Sequence, residues 1–160
     1  MKQDRFLLGI LLGIAALVVI ALVTFLARPD GLQYGPDNTP EGVVRNYTVA
    51  IHLQDYEKAY TYLAEGPHKP SLDQFREPFL LKYINSASAG LEVLESKISG
   101  NKASVEVSVL YSSNDVFSGG YRNSEYAALV SEAGQWKISQ MAYPFWYYDW
   151  YQEPYKEPKP

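Results

Sequence analysis

Hydrophobic positions follow three successive patterns along this chain. The first is a continuous run. Residues 6–27, FLLGILLGIAALVVIALVTFLA, carry no charge and are nearly all Leu, Ile, Val, Ala and Gly. At about 1.5 Å per residue, a helix of that length crosses a hydrocarbon core of roughly 30 Å. The second pattern is a set of helical stripes. Val43, Val44, Tyr47, Ala50 and Ile51 recur at helical spacing and predict a helix from Pro40 to about Leu53. Thr39 is suited to cap it, Pro40 fits its first turn, and Glu41 favours its positive end. Asp55 is placed to cap a second, shorter helix from Tyr56 to Ala64, with Ala59, Tyr60 and Leu63 inward. Ser71 and Gln74 form a capping box that opens a third helix. Phe75, Phe79, Leu80, Tyr83 and Ile84 line one side of it, and Pro78 predicts a kink or a break near Glu77.

The third pattern is alternation. Leu91 to Ile98 reads as a strand with one uneven step, and Gly100-Asn101 as a hairpin turn. Ala103, Val105, Val107 and Val109 alternate with polar residues, as on a half-buried strand. Residues 112–120 read as a loop. Tyr121 to Ser131 forms a third strand, with Tyr126, Ala128 and Val130 on one face and Ala127 and Leu129 on the other. After the Glu132-Ala133-Gly134 turn comes a fourth strand, Gln135 to Met141, with Trp136 and Ile138 the natural core choice. Helices followed by a strand meander predict an α+β domain, with three helices packed on one face of a curved antiparallel sheet.

The resulting divisions are a short N-terminus (1–5), a transmembrane helix (6–27), a linker rich in Pro, Gly, Asp and Asn (28–39), the α+β domain (40–143) and a C-terminal tail (144–160). The apolar run is longer than the core of a secretory signal peptide, and no small-residue cleavage pattern follows it. A retained single-pass anchor is therefore expected. Lys2 and Arg5 before it, against Arg28 after it, favour a cytoplasmic N-terminus and an extracytoplasmic domain.

Composition narrows the chemistry. From position 28 onward, twelve basic residues face seventeen acidic ones. Acidity without a Lys/Arg run disfavours nucleic acid, whose binding depends on neutralising phosphates, and disfavours tight adhesion to anionic lipid. The chain has no cysteine, which excludes disulfides, an N-terminal lipid on cysteine, and cysteine-held haem, iron–sulfur or zinc.

The Thr39-Pro40-Glu41 helix start, the Asp55-Tyr56-Glu57-Lys58-Ala59-Tyr60 segment and the closing Gly134-Gln135-Trp136-Lys137-Ile138 together resemble the NTF2-like superfamily, also called cystatin-like or SnoaL-like. The wording of the first two helices is similar to its membrane-anchored bacterial branch. The resemblance spans about Thr39 to Tyr143. It implies a cone-shaped α+β domain with a pocket between sheet and helices. Enzymatic members place His, Asp, Tyr or Arg there for proton transfer or dehydration. Other members use the same concave face for small ligands or protein contacts. No catalytic motif of the family matches here residue by residue.

The residues themselves supply few catalytic candidates. Of the two histidines, His52 falls near a helix end, where a cation suits the dipole, and His68 falls in a Pro-Gly loop. Neither sits in a zinc-binding pattern, so no metal and no cofactor are expected. Glu92, Glu95 and Glu106 read as the charged outer face of a sheet, and Asp73 and Glu77 as helix-start residues. Asn46-Tyr47-Thr48 matches a glycosylation acceptor but lies within a predicted helix. No catalytic residue is assigned. Tyr47, Tyr60, Tyr83, Tyr126 and Trp136 are the candidate lining of a cone cavity.

The tail is the strongest functional signal. Phe145, Trp146, Tyr147, Tyr148, Trp150 and Tyr151 crowd a short segment, whereas disordered tails lack aromatics. The segment can complete the domain's own core, dock on a partner protein, or lie at the bilayer surface. For the external roles, Trp146, Tyr147 and Trp150 are the leading contacts. The expected function is a non-catalytic binding or accessory subunit of a membrane-associated complex. The alternatives are a ligand-binding or enzymatic cone cavity, and a tethered domain that homodimerises through its sheet.

Overall fold

In the structure, a computed structural model, residues 3–26, 32–111 and 120–152 are described. The chain divides into two compact units, Met1–Gly31 and Leu32–Pro160. The first holds helix α1, Gln3–Leu26. Its Leu7–Thr24 stretch has a mean hydropathy of 2.9 and no burial, so one helix is long and apolar enough to cross a membrane.

The second unit is an α+β domain. Helices α2 (Pro40–His52), α3 (Tyr56–Thr61) and α4 (Leu72–Leu80) precede strands β1 (Ala89–Ser99), β2 (Lys102–Tyr111), β3 (Tyr121–Glu132) and β4 (Gln135–Gln140). The sheet is antiparallel throughout, in the order β1-β2-β3-β4. Register shifts between Val93 and Ser96 and between Ala128 and Leu129 bend the strands, since a bulge adds local twist and curvature. The loop expected at 112–120 falls outside the described residues up to position 119.

Caps explain the helix limits. Thr39, Asp55 and Ser71 each accept from a backbone N–H of the first turn, and Ser71 and Gln74 close a full capping box. At the far end of α2, Gln54 N–H donates to Ile51 and Asp55 N–H to Ala50. At the end of α4, Lys82 N–H donates to Phe79 and Tyr83 N–H to Pro78. Both are the paired bonds of a Schellman motif, and Gln54 and Lys82 take the positive φ it requires, 59° and 60°. This turn corrects two expectations. The helix does not break near Glu77, because Pro78 sits so close to the end that little ladder is lost. Leu80 and Tyr83, expected inside, are 58% and 63% exposed: Leu80 lies on the outer side of α4 beside buried Phe79, and Tyr83 follows the left-handed residue that redirects the chain away from the stripe.

The core lies between the helices and one face of the sheet. Val43, Val44, Tyr47, Ala50 and Ile51 of α2 pack on Val105, Val107 and Val109 of β2, Ala127 and Leu129 of β3 and Ile138 of β4. Register pairs Val105 with Ala127 and Ala103 with Leu129, so the odd positions of β3 face the helices. Tyr126 therefore stands on the opposite face, 61% exposed. That outer face carries the Glu92–Arg122 ion pair and the Ser124 hydroxyl donating to Glu106, as expected for its carboxylates.

The free edge of β4 is covered. Ile138 N–H donates to the Tyr62 carbonyl, and Ala64 N–H donates back to the Ile138 carbonyl, both at 2.8 Å. The stretch after α3 thus blunts an edge that would otherwise present unpaired backbone groups. A second docked stretch precedes α2. The side chain of buried Asn46 accepts from Gly35 N–H and donates to the Gly35 carbonyl, at 2.8 and 2.7 Å. The Tyr34 hydroxyl donates to Asp55 at 3.0 Å. Gly42 is required here, since a Cβ on it would meet the Pro36 carbonyl oxygen at 2.3 Å. The later part of the expected linker is thus fixed to α2, and the compact unit begins at Leu32. Asn46 is spent on this contact, which agrees with reading its acceptor pattern as chance.

Candidate functional site

The place to look first is the interior between sheet and helices. It is filled by side chains. Tyr47 and Phe75 are fully buried, and the chain after β4 adds a further aromatic layer on top of them. Phe145, Trp146 and Trp150 are 0%, 8% and 5% exposed. The Tyr47 hydroxyl donates to the Phe145 carbonyl at 2.7 Å and so ties α2 to a segment almost a hundred residues later. Trp150 lies 4.8 Å from the Phe75 ring centre and 5.9 Å from that of Phe79. Trp146 stands edge-on to Trp150 at 5.1 Å and stacks on Tyr151 at 5.7 Å. The Tyr151 hydroxyl donates to the Ala64 carbonyl, and its N–H to the His68 carbonyl. Edge and stacked pairs at these separations each add about 0.5–1.5 kcal/mol beyond their buried area.

The candidate cavity residues separate accordingly. Tyr47 is core, and burial drives its phenol pKa well above the usual value. The half-buried Tyr60 donates to the Pro70 carbonyl at 2.9 Å. Tyr83 and Tyr126 stand outside, and Trp136 is half-buried on the flank of the domain. No two of these five hydroxyl or indole groups converge on a common hollow. Of the six tail residues, Phe145, Trp146 and Trp150 turn inward and Tyr151 is half-buried. That leaves Tyr148, 74% exposed, and part of Tyr147 available to the outside. Trp146 and Trp150, the expected external anchors, are thus committed to the domain's own core. Alternating aromatics could not show which way they turn, because a core plug and an interface use the same residue types.

Among the described residues, the titratable groups are not gathered into a catalytic constellation. His52 is half-buried with its ring edge-on to Phe145 at 5.4 Å, and burial lowers its pKa. The expected cation at a helix end is therefore replaced by an imidazole held toward its neutral form. Tyr34 is pushed up to about 12, chiefly by burial and then by its bond to Asp55. Glu41 is held below the usual carboxylate range by the Ser96 hydroxyl that donates to it. Among the described residues no group of three or more His, Asp or Glu side chains is placed to hold a metal.

Several outer grooves remain among the described residues, and two of them take in candidate cavity or tail residues. One, of about 410 Å³, runs between α4 and the tail, where Tyr83 stacks on Tyr147 at 6.5 Å and Trp150 forms the floor. The other, of about 530 Å³, lies beside α3 and the β3–β4 turn and includes Trp136. Its lysines and Tyr62 escaped sequence reasoning, because α3 and β4 are far apart in the chain and no motif links them.

No family model matches the chain, and no curated protein matches it. Among solved structures, it is similar to a SEC-C motif containing protein from Rhodopseudomonas palustris at 18% identity, covering 66% of this chain and 79% of that one, with a TM-score of 0.48. It is also similar to a protein described as an NTF2-like transpeptidase from Campylobacter jejuni, at 16% identity over 64% of this chain and 99% of the other, TM-score 0.44. A cystatin fold protein from Novosphingobium aromaticivorans is 11% identical over 66% and 97% of the two chains, TM-score 0.45. These are loose likenesses. The α+β assignment rests on the element order and register described above.

Proposed function

We propose that this chain is a non-catalytic, single-pass membrane protein whose extracytoplasmic NTF2-like domain binds or supports other components of a membrane-associated assembly. One observation carries this reading. The interior that a cone domain would use for ligand or catalysis is occupied by Phe75, Phe145, Trp146 and Trp150. Ligand sites need a concave space with a few convergent polar groups, and the described interior supplies neither. Function then falls to the outer surface and to the tether. The apolar α1 supports the tether, and Lys2 and Arg5 support the orientation. The exposed tyrosines Tyr83 and Tyr148 are the contacts offered to a partner, since Tyr buries large area at low entropy cost.

Because the chain has no cysteine, a single introduced thiol reports cleanly. Tyr126→Cys, on the outer sheet face, should react in intact cells with a membrane-impermeant maleimide. Protection of that cysteine until the membrane is permeabilised would overturn the orientation. A photo-crosslinker at Tyr83 or Tyr148 should trap one membrane protein in stoichiometric yield. Equal, diffuse trapping from these sites and from a site on the outer sheet face would overturn the accessory reading.

A further inference from the structure

The larger groove, of about 530 Å³, lies where the segment before α2, the end of α3 and the β3–β4 turn meet. Its walls include Asp37, Lys58, Tyr62, Gln135, Trp136 and Lys137. Main-chain bonds between Tyr62, Ala64 and Ile138 fix the two sides relative to each other. The Lys137 ammonium donates to the Thr61 carbonyl at 2.6 Å. Lys58 lies one helical turn before Thr61, its ammonium 5.1 Å from the centre of the Tyr62 ring. Both cations therefore border the same turn of α3. Against the single carboxylate of Asp37 they leave this groove locally positive in a chain whose formal net charge is -4.

The second observation is independent of charge. Tyr62 lines the groove, but its hydroxyl is buried, so its ring and not its oxygen meets the open space. Trp136 adds a half-exposed apolar wall, and the Gln135 amide can both donate and accept. A bare inorganic anion would satisfy the lysines and leave the indole unused. A neutral apolar ligand would leave two ammoniums facing it.

We propose that this groove binds an acidic sugar. The carboxylate lies between Lys58 and Lys137, whose free protons give it charge-assisted hydrogen bonds. The pyranose ring lies against the indole of Trp136, and its hydroxyls meet the Gln135 amide. The site is separate from the aromatic plug and stands whether or not the domain serves a membrane assembly.

The test uses the full chain in detergent or nanodiscs, with glucuronic acid as probe and glucose and inorganic phosphate as comparisons. Calorimetry and saturation-transfer NMR should show saturable binding of glucuronate, about tenfold tighter than that of glucose, as expected for one charge-assisted contact. The Lys58→Gln, Lys137→Gln pair should erase that preference with the unfolding midpoint unchanged. If the pair disturbs folding, Gln135→Ala, on an exposed turn residue, should still weaken glucuronate several-fold. Phosphate binding as tightly as glucuronate would overturn the sugar assignment. So would the absence of saturable binding, or glucuronate affinity that ignores both sets of substitutions.

Discussion

Removing the indole of Trp150 tests whether the tail is part of the core. Trp150 is 5% exposed and touches Phe75, Phe79, Trp146 and Tyr147. A tryptophan side chain buries on the order of 200 Å², and at about 25 cal/mol per Å² its transfer is worth roughly 5 kcal/mol. Alanine recovers a small part of that, and a void would add to the loss. Trp150 also floors an open groove, so neighbours and water can enter part of the space. The expected cost of Trp150→Ala is therefore about 3–5 kcal/mol. Small domains have about 5–15 kcal/mol in total, so this is roughly a fifth or more of the domain's stability. Denaturant unfolding of the full chain in detergent, followed by near-ultraviolet circular dichroism, reads it directly. Tyr148→Ser, at the most exposed tail aromatic, should change stability by less than about 0.5 kcal/mol. A double-mutant cycle with Phe75→Leu should return a coupling of about 0.5–3 kcal/mol. If Trp150→Ala cost under about 1 kcal/mol with cooperativity intact, the tail would not be core, and the occupied-interior argument would fail with it.

Other expectations follow from single contacts. Gln54→Gly and Lys82→Gly should each stabilise the domain by about 0.5–1 kcal/mol, because both residues hold a positive φ that glycine adopts without a Cβ clash; unchanged or lower midpoints would contradict the Schellman turns. Asn46→Ala removes both bonds to Gly35 and should cost about 2–3 kcal/mol, with faster hydrogen exchange at the Gly35 amide as its local signature. Tyr47→Phe should cost about 1–2 kcal/mol through the orphaned Phe145 carbonyl, while leaving the core packing spectrum unchanged. Burial lowers the His52 pKa below its unfolded value of 6.5, so the unfolded chain binds the proton more tightly. Stability should fall as pH drops through about 6.5 and level off below the folded value, and His52→Phe should flatten that part of the profile.

Patterning along the chain was enough to read the element order. Helical stripes, caps and strand alternation are local signals, and α2, α4 and all four strands lie within two residues of their expected limits, apart from α4's end. The Pro78 break was misplaced because a proline near a helix terminus costs little, which depends on where the next turn falls. Tyr126 could not be assigned to a face from its own strand, where small apolar residues occupy both sides. The decision came from Ala127 and Leu129 opposing Val105 and Ala103.

The sequence by itself determined a run apolar enough to span a bilayer, an α+β domain behind it, and, with no cysteine, a chain without disulfides. Those are properties of composition and period, which each segment carries alone. Tertiary structure decided the rest. It folded Phe145, Trp146 and Trp150 inward because the layer over Phe75 and Tyr47 offered more apolar area than solvent did. It brought Lys58 of α3 to the same groove as Lys137 of β4, across a separation no local pattern can encode. Long-range contacts assemble surfaces from distant residues, so the long apolar helix was legible from the start and the candidate binding groove was not.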